Sequence, residues 1–357
     1  MSAPASERRV APGRAGSGGG GKGGAPRAEI KPRYIWTMLG SLAGSFLLFY
    51  LFLFGLSATD NLPPPSFANS ICVDEKLAFH RENPDRRPNL LVIGSSVAWR
   101  HFDGDVVAQE TPAAIPLNGG FCGLTANQSA YAGSWLLQHY SGVREVLLIA
   151  SPEDFKACTK FRTEVFDARD ADAYVFGKAS PWPYYIKYFS PGSLLRNTMT
   201  VAKQRSGENA VDPLVFDRYG SGPVRMTENR DTLLYGAVER LDQTCFEALG
   251  QFAAKMKQEG RRLMVASTPM HPQWRAQYDA DGAVLSQFSA RIRRAIEPFG
   301  GEYWDAATAG LIGEQGFYDG IHLRWSAVAP FSAALAQQFQ FGRAPVSVAA
   351  QNSDRKL

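Results

Sequence analysis

The stretch LVIGSSVAWRHFD, residues 91–103, ends an apolar run on a glycine and two adjacent serines. A buried strand that enters a helix at such a point can present a serine as a nucleophile. Serine is also a favoured residue at the position before a helix, where its hydroxyl accepts a backbone N–H. The stretch therefore has two interpretations, catalysis and helix capping, and the rest of the chain has to separate them.

Apolar runs like this one recur along the chain and alternate with helical patterns. They predict five strands, at residues 89–96, 114–120, 144–151, 261–268 and 301–306. The spacing of apolar residues predicts four long helices, at residues 124–140, 232–259, 281–298 and 325–340. Because the strand segments are apolar without alternation, we expect them to be buried on both faces, as in a parallel sheet. The alternation predicts an α/β domain whose open parallel sheet has helices on both faces.

The predicted α/β domain, residues 88–342, contains an insertion. Residues 156–230 are rich in aromatic residues, proline and charge, and show no clear strand pattern. We expect this insertion to cover one edge of the sheet or the mouth of a site. Its aromatic residues Trp182, Tyr184 and Tyr185 predict either a stacking platform for a sugar ring or packing within the insertion.

The segments outside this domain differ from it in composition. Residues 1–33 are rich in glycine, alanine and charge, and predict a disordered basic tail. Residues 34–58 are 25 residues without a charge, enough to cross a bilayer as a helix. A signal peptide is the alternative, although its apolar core normally has about 7–15 residues. Residues 59–87 begin with the proline-rich TDNLPPPSFANS and predict a stalk, and residues 343–357 predict a flexible tail.

Charge and cysteine content limit the compartment and the partners. The formal net charge is +4, but residues 1–33 hold seven basic and two acidic side chains, so the remainder is nearly neutral. This leaves no basic patch for nucleic acid. Cations before an apolar helix predict a single-pass inner-membrane protein with a cytoplasmic N-terminus and an extracytoplasmic, periplasmic domain. The four cysteines either form disulfides or stay reduced and buried, and without a CxxC pair they do not indicate zinc: Cys72, Cys122, Cys158 and Cys245.

Polar residues follow the predicted strands, and ligands of open parallel sheets bind at those carboxyl ends. The candidates in chain order are Ser95 and Ser96, the glycine-rich residues 118–125, Glu153 and Asp154, His271, and finally Asp319 and His322. A serine nucleophile needs a base to take its proton, and an imidazole titrates near neutrality. Asp319 can orient His322, and a glycine turn can direct N–H groups at an oxyanion. This set predicts acyl chemistry on serine, with no metal and no organic cofactor.

In this order the segments resemble the blocks of the SGNH/GDSL hydrolase superfamily. Gly94-Ser95-Ser96 stands where that family has Gly-Asp-Ser, and Asn118-x-Gly120-x-x-Gly123-x-Thr125 fits its second block. Asp319-Gly320-Ile321-His322 fits the closing Asp-x-x-His. The resemblance implies a three-layer sandwich with a flavodoxin-like parallel sheet. It further implies a catalytic triad of Ser96, His322 and Asp319, with the Gly123 amide at the oxyanion.

The third block departs from the family pattern. Ser151-Pro152-Glu153-Asp154 stands where the family has Gly-x-Asn-Asp, and a carboxylate cannot donate to an oxyanion. Either Glu153 points elsewhere, or Arg100 or the Ser95 hydroxyl supplies the missing donor. The candidate oxyanion and substrate contacts are therefore Gly123, Ser95, Asn118, Gly120, Glu153, His271 and Arg100. Arg100 and Asp103, one helical turn apart, also predict a local ion pair.

The Gly-Ser-Ser block is similar to that of the membrane-anchored envelope acyltransferase branch of the superfamily, which includes D-alanyl-transfer and polysaccharide O-acetylation proteins. The resemblance implies transfer of an acyl group, O-acetyl in particular, to an envelope or secreted polysaccharide through an acyl-serine. It implies a multi-pass membrane O-acyltransferase as partner. A carbohydrate esterase or deacetylase with the same residues is one alternative. A non-catalytic glycan-binding or assembly subunit on a degenerate fold is another, and Glu153 supports it.

Overall fold

The structure of the protein is a computed structural model, and it describes residues 31–84, 86–207, 212–225 and 234–342. The chain divides into two compact units, Met1–Gly55 and Leu56–Leu357. Residues 1–30 of the predicted N-terminal tail lie outside the described residues. The predicted C-terminal tail, residues 343–357, lies outside them as well.

A single long apolar helix begins the described chain. Helix α1, Pro32–Ala58, has 27 residues, which at about 1.5 Å per residue is roughly 40 Å. It begins two residues before the predicted span, with proline at its first position, where the missing N–H costs no hydrogen bond. Its most apolar 18-residue window has a mean hydropathy of 2.0, and among the described residues it is the one helix long and apolar enough to cross a membrane.

Five parallel strands form the sheet. They are β1 Leu90–Gly94, β2 Pro116–Asn118, β3 Glu145–Ala150, β4 Arg262–Ser267 and β5 Glu302–Trp304. Their order is β2-β1-β3-β4-β5, and every neighbouring pair is parallel. This is the flavodoxin-like order, whose topological switch lies between β1 and β3. The predicted α/β class and parallel sheet are confirmed, and the switch falls where β1 ends on Gly94.

The remaining helices are α2 Ile71–Glu82, α3 Ser96–Arg100, α4 Gly104–Glu110, α5 Ala126–His139, α6 Ala168–Val175, α7 Trp182–Lys187, α8 Pro191–Thr198, α9 Val201–Ser206, α10 Gln243–Gln258, α11 Pro272–Tyr278, α12 Ala283–Ile296 and α13 Trp325–Phe339. Helix α4 lies in the connection from β1 to β2, which runs toward one edge of the sheet. Helices α5, α10 and α12 lie in the connections to β3, β4 and β5, which run toward the other edge. Right-handed crossovers therefore place these two sets on opposite faces. Helix α10 packs on α5 and α12, and α13 packs on α4.

Helix α10 begins later than the predicted residue 232. Residues 234–242 are not helical, and Asp242 caps the helix by accepting a hydrogen bond from the Thr244 amide at 3.0 Å. An aspartate in this position ends the non-helical segment, because its side chain replaces the missing partner of a first-turn amide. Residues 232 and 233 lie outside the described part of the chain.

The insertion forms the short helices α6–α9, which pack against the stalk. Pro63, Pro64 and Pro65 are buried, and the buried Phe67 ring lies between tyrosines of the insertion. Its ring centroid is 4.8–5.1 Å from those of Tyr174, Tyr184 and Tyr188. The Tyr185 hydroxyl donates to the Pro63 carbonyl at 2.7 Å. The aromatic residues of the insertion thus pack, and the stalk is part of the folded domain rather than a free spacer.

All four cysteines form disulfides. Cys72 at the start of α2 bonds to Cys122, and Cys158 in the insertion bonds to Cys245 in α10. The first joins the lead-in of the domain to the loop after β2. The second joins the insertion to the body of the domain. Of the two predicted alternatives for the cysteines, the structure shows the disulfides.

Candidate active site

The turn after β1 separates the two adjacent serines. Gly94 has φ of +140°, and a Cβ there would lie 2.3 Å from the Ile149 carbonyl oxygen, so glycine is required at this strand end. Ser95 is buried and caps α3, where its hydroxyl accepts from the Val97 amide at 3.4 Å. Ser96 is the first residue of α3 and is partly exposed. The capping interpretation therefore describes Ser95, and Ser96 remains available for chemistry.

Ser96, His322 and Asp319 form a chain of hydrogen bonds. The Ser96 hydroxyl lies 2.8 Å from His322 Nε2. His322 Nδ1 lies 2.9 Å from Asp319 Oδ2 and 3.0 Å from Oδ1. With Nδ1 protonated and facing the carboxylate, Nε2 is the acceptor for the serine proton. The geometry is that of a nucleophile, a base and a group that orients the base.

Asp319 is held in place by its own turn and by Tyr235. Its Oδ1 accepts from the backbone amides of Ile321 at 3.0 Å and His322 at 2.8 Å. The Tyr235 hydroxyl donates to Oδ2 at 3.0 Å. Burial alone would raise the pKa of Asp319, but the hydrogen bond from the His322 ring, the electrostatic interaction with that ring and the two amides hold the pKa below its ordinary value. Asp319 therefore stays ionised beside the histidine.

A second histidine, His101, supports the loop that carries His322. It is fully buried, and its Nε2 accepts from the Leu323 amide at 2.9 Å. Nδ1 therefore carries the proton and faces the Thr268 hydroxyl at 2.7 Å. Burial, and then the nearby His322, lower the pKa of His101 well below its ordinary value. A neutral His101 thus joins the residue after His322 to the end of β4.

The sequence pattern predicts neither His101 nor Tyr235 as part of the site. His101 lies just beyond α3 without a motif around it, and Tyr235 lies in the irregular segment before α10. Their partners are 222 and 84 residues away along the chain. A local pattern carries no signal for contacts of that separation.

Ser96 and His322 open into a cavity of about 520 Å³. Its wall includes Gly123, Leu124 and Phe161, and the Cys72–Cys122 disulfide. This volume is within the range of about 300–1,000 Å³ typical of small-molecule sites. Gly123 has φ of +67°, a conformation that glycine adopts at little cost. The glycine-rich loop after β2 therefore reaches the cavity at the position predicted for an oxyanion donor.

Arg100 lines the same cavity and is buried. Its side chain is 7% exposed, its Nη2 donates to the Pro213 carbonyl at 3.4 Å, and its guanidinium lies 4.3 Å from the Trp99 ring centroid. Among the described residues its Nη1 has no hydrogen-bond partner. Burial lowers the pKa of Arg100 to about 10, which leaves it charged at neutral pH. A buried cation with an unused donor therefore stands beside the nucleophile.

The predicted Arg100–Asp103 ion pair is wrong. Asp103 instead caps α4, where its Oδ1 accepts from the amides of Asp105 at 3.0 Å and Val106 at 3.2 Å. The helix ends at Arg100, so the one-turn spacing does not place the two side chains on a common helical face.

In the block Ser151-Pro152-Glu153-Asp154, the two carboxylates have different partners. Glu153 does not line the cavity and instead forms an ion pair with Lys156. Asp154 Oδ2 accepts from the Ser151 amide at 2.8 Å, and the carboxylate also bonds to the Ser95 side chain. Burial raises the pKa of Asp154 to about 7. Asp154 thus links the turn after β3 to the turn that carries the nucleophile, and Glu153 points elsewhere.

Three further predicted contacts lie behind the cavity wall. Asn118 is fully buried and binds backbone, with Nδ2 2.8 Å from the Ala98 carbonyl and Oδ1 accepting from the Gly120 amide at 2.9 Å. A Cβ at position 120 would lie 2.8 Å from the backbone nitrogen of Trp99, so glycine is needed here for the close packing of the two turns. His271 caps α11 by accepting from the Gln273 amide at 3.1 Å. In the structure all three support loops, and none of them is among the residues that line this cavity; their roles as substrate contacts stay predictions.

Comparison with known proteins found no matching family model and no matching curated protein. Solved structures with a similar fold include a putative arylesterase from Agrobacterium tumefaciens, 14% identical with a TM-score of 0.35, covering 70% of this chain and 97% of that one. Another is a carbohydrate acetylesterase family member from Sinorhizobium meliloti, 10% identical with a TM-score of 0.34, covering 71% and 97%. At this level of similarity the activity has to be argued from the site itself.

Proposed function

We propose that this protein is a serine-dependent enzyme that moves an acyl group, O-acetyl in the first instance, onto a carbohydrate through an acyl-Ser96 intermediate. One observation carries the proposal. A serine at the end of a strand, a histidine and a buried aspartate form a continuous hydrogen-bonded chain that opens into a cavity of ligand size. The resemblance of these sequence blocks to those of SGNH/GDSL enzymes supports it as well.

The geometry supports a two-step reaction. His322 Nε2 takes the Ser96 proton as the hydroxyl attacks the acyl carbonyl, and the protonated histidine then gives that proton to the leaving oxygen. In the second step an acceptor hydroxyl loses its proton to Nε2 and attacks the acyl carbonyl, the bond from the acyl carbon to Ser96 Oγ breaks, and the histidine returns the proton to that oxygen. Asp319 stabilises the imidazolium in both steps but keeps its own charge.

The oxyanion formed in each step needs donors. The amides of Gly123 and Ser96 are two, because the glycine loop and the start of α3 meet at the cavity. We propose Arg100 as the third, in place of the asparagine that the family has where Glu153 stands. A charged donor in a buried site stabilises a developing negative charge more strongly than a neutral one.

We propose transfer to a polysaccharide rather than hydrolysis. The apolar helix α1 and the two disulfides support a site held at the outer side of the inner membrane, where an acyl donor delivered across the bilayer can reach it. A multi-pass O-acyltransferase is the proposed partner. The same triad performs esterase chemistry when water is the acceptor, so a carbohydrate esterase is the alternative. Acetate release measured with and without an oligosaccharide acceptor separates the two.

The test is covalent labelling of the detergent-solubilised full chain with a fluorophosphonate, followed by peptide mass spectrometry. We expect the label on Ser96, loss of labelling in Ser96→Ala and His322→Ala, and retained labelling in Ser95→Ala. The Ser95 variant is the control for the neighbouring hydroxyl: it keeps the triad but removes the α3 cap and the bond to Asp154, so we expect slower labelling that still falls on Ser96. An unlabelled but folded wild-type chain would contradict the proposal and favour a glycan-binding subunit.

A further inference from the structure

The insertion exposes apolar side chains that the acyl-transfer site does not use. Outside α1, eight large apolar side chains of the described residues are at least about one-third exposed, and four of them lie within residues 186–199. They are Ile186 at 36%, Phe189 at 56%, Leu195 at 63% and Met199 at 78%. Leu195 and Met199 are four residues apart, at the spacing of one helical face, and lie at the end of α8. Such clustering marks an interaction surface rather than scattered surface residues.

Helices α7 and α9 hold the stalk. Arg205 at the end of α9 donates to the carbonyl oxygens of Asp60 at 3.2 Å and Leu62 at 3.1 Å. Arg205 also pairs with the buried Glu75 at 2.7 Å, which fixes its position. Together with the bond from Tyr185 to Pro63, these contacts attach α7 and α9 to the first residues after α1.

Chain length limits how far this surface can be from the membrane. Asp60 follows the last residue of α1 by two positions and Pro63 follows it by five. An extended chain covers at most about 3.6 Å per residue, so the points where α9 and α7 hold the stalk lie within roughly 7 Å and 18 Å of the end of α1. If α1 spans the bilayer, these two points of attachment lie close to its surface.

The charge of the segment fits an anionic lipid surface. Residues 182–206 contain four basic residues and no aspartate or glutamate. Arg196 and Lys203 are exposed, whereas Lys187 pairs with Asp170 and Arg205 with Glu75. Exposed cations next to exposed apolar side chains are typical of segments that lie in the interface of a bilayer.

We propose that α7–α9 dock on the outer surface of the membrane that α1 crosses, with the four apolar side chains among the headgroups of anionic phospholipid. The docking also places the Ser96 cavity at the bilayer, because Gln204 of α9 and Ala68 and Ser70 of the stalk line that cavity. An acyl donor at the membrane surface then reaches the nucleophile without release into solution. The inference rests on the proposed membrane span and not on the proposed chemistry.

The test is spin-label accessibility in the full chain reconstituted into phosphatidylcholine–phosphatidylglycerol vesicles. The native cysteines are all in disulfides, so single cysteines at Leu195→Cys and Met199→Cys can be labelled selectively. Leu311→Cys is the matched control, since Leu311 is an exposed leucine, 44%, far from the insertion in sequence. Collision with oxygen, which partitions into lipid, is compared with collision with a water-soluble nickel chelate.

We expect the oxygen-to-nickel ratio at positions 195 and 199 to exceed that at 311 several-fold. The ratio should decrease when phosphatidylglycerol is omitted. Equal, water-like ratios at all three positions in a chain that stays with the vesicles would overturn the docking and leave the membrane span intact. A chain that washes out of the vesicles at alkaline pH would overturn the span and the docking together. Circular dichroism of each variant reports its fold, and fluorophosphonate labelling of the same variants tests the acyl chemistry separately.

Discussion

At the scale of single residues, the two adjacent serines and the arginine one turn later decide the chemistry. Ser95 caps the helix and bonds to Asp154, whereas Ser96 bonds to His322. Arg100 adds a charge that the family motif does not predict. Within the described part of the chain its Nη1 has no hydrogen-bond partner, whereas the buried Lys76 donates to the Asn118 carbonyl at 2.6 Å.

Arg100 is expected to act on the oxyanion and not on folding. Arg100→Met should lower kcat by about 10²–10³-fold, the usual cost of one oxyanion donor. Its stability should change little, because the variant loses the attraction of the guanidinium to Asp212 and Asp319 and its bond to the Pro213 carbonyl together with the desolvation penalty of the buried charge. Steady-state hydrolysis of an activated acetyl ester and thermal unfolding measure the two effects. Arg100→Lys keeps the charge and should recover part of kcat. An Arg100→Met variant that loses stability but keeps the kcat of the wild type would contradict this role.

At the scale of elements, the turn after β3 is linked to the turn after β1 through Asp154. Its pKa of about 7 in the folded protein exceeds the ordinary value of 3.8, so folding favours the protonated form. The stabilisation that this group contributes is fully present below pH 3.8 and is lost as the pH rises through 7. Asp154→Asn should therefore show a smaller decrease in melting temperature between about pH 4 and about pH 7.5 than the wild type. Parallel pH profiles of the two proteins would contradict the raised pKa.

The disulfides join elements of different importance for the site. Cys122 precedes Gly123, and the Cys72–Cys122 bond lines the cavity, whereas Cys158–Cys245 holds the insertion on α10. Replacing either pair with alanine should lower the free energy of unfolding by about 2–5 kcal/mol. Only the Cys72→Ala/Cys122→Ala variant should also lower kcat, because the oxyanion loop loses its anchor. Denaturant unfolding and ester kinetics at a temperature where both variants are folded test this, and equal kcat values for the two variants would contradict it.

At the scale of the whole molecule, the apolar helix α1 and the two disulfides lead to one joint prediction. If the domain is extracytoplasmic, its four cysteines should be in disulfides and should not react with a maleimide polymer in the denatured, unreduced chain. After reduction, the chain should gain four adducts. The chain without residues 1–58, expressed in the cytoplasm, should instead react before reduction, since that compartment keeps thiols reduced. Gel mobility measures the adducts. Reactive thiols in the unreduced full chain would contradict the proposed location.

The features that can be predicted are those set by residues close together in the sequence. Continuous apolar runs predict parallel strands because both faces of such strands are buried, and residues 89–96 are an example. The position of Ser96, Asp319 and His322 next to strand and helix ends follows from the same pattern, and so does the long apolar helix. The apolar spacing places the beginning of α10 too early, because the capping role of Asp242 is a weaker signal than the apolar residues before it.

Local patterns along the chain are enough to establish the α/β class, the strand segments and the residue types of the site, because strand and helix periodicity and turn residues act over short distances. Only folding brings the Ser96 hydroxyl to 2.8 Å from His322, turns Glu153 away and Asp154 toward Ser95, and sets His101 and Tyr235 against the triad. Folding also packs the stalk on the insertion. These contacts join residues far apart in the chain, and their geometry depends on packing that no local pattern encodes.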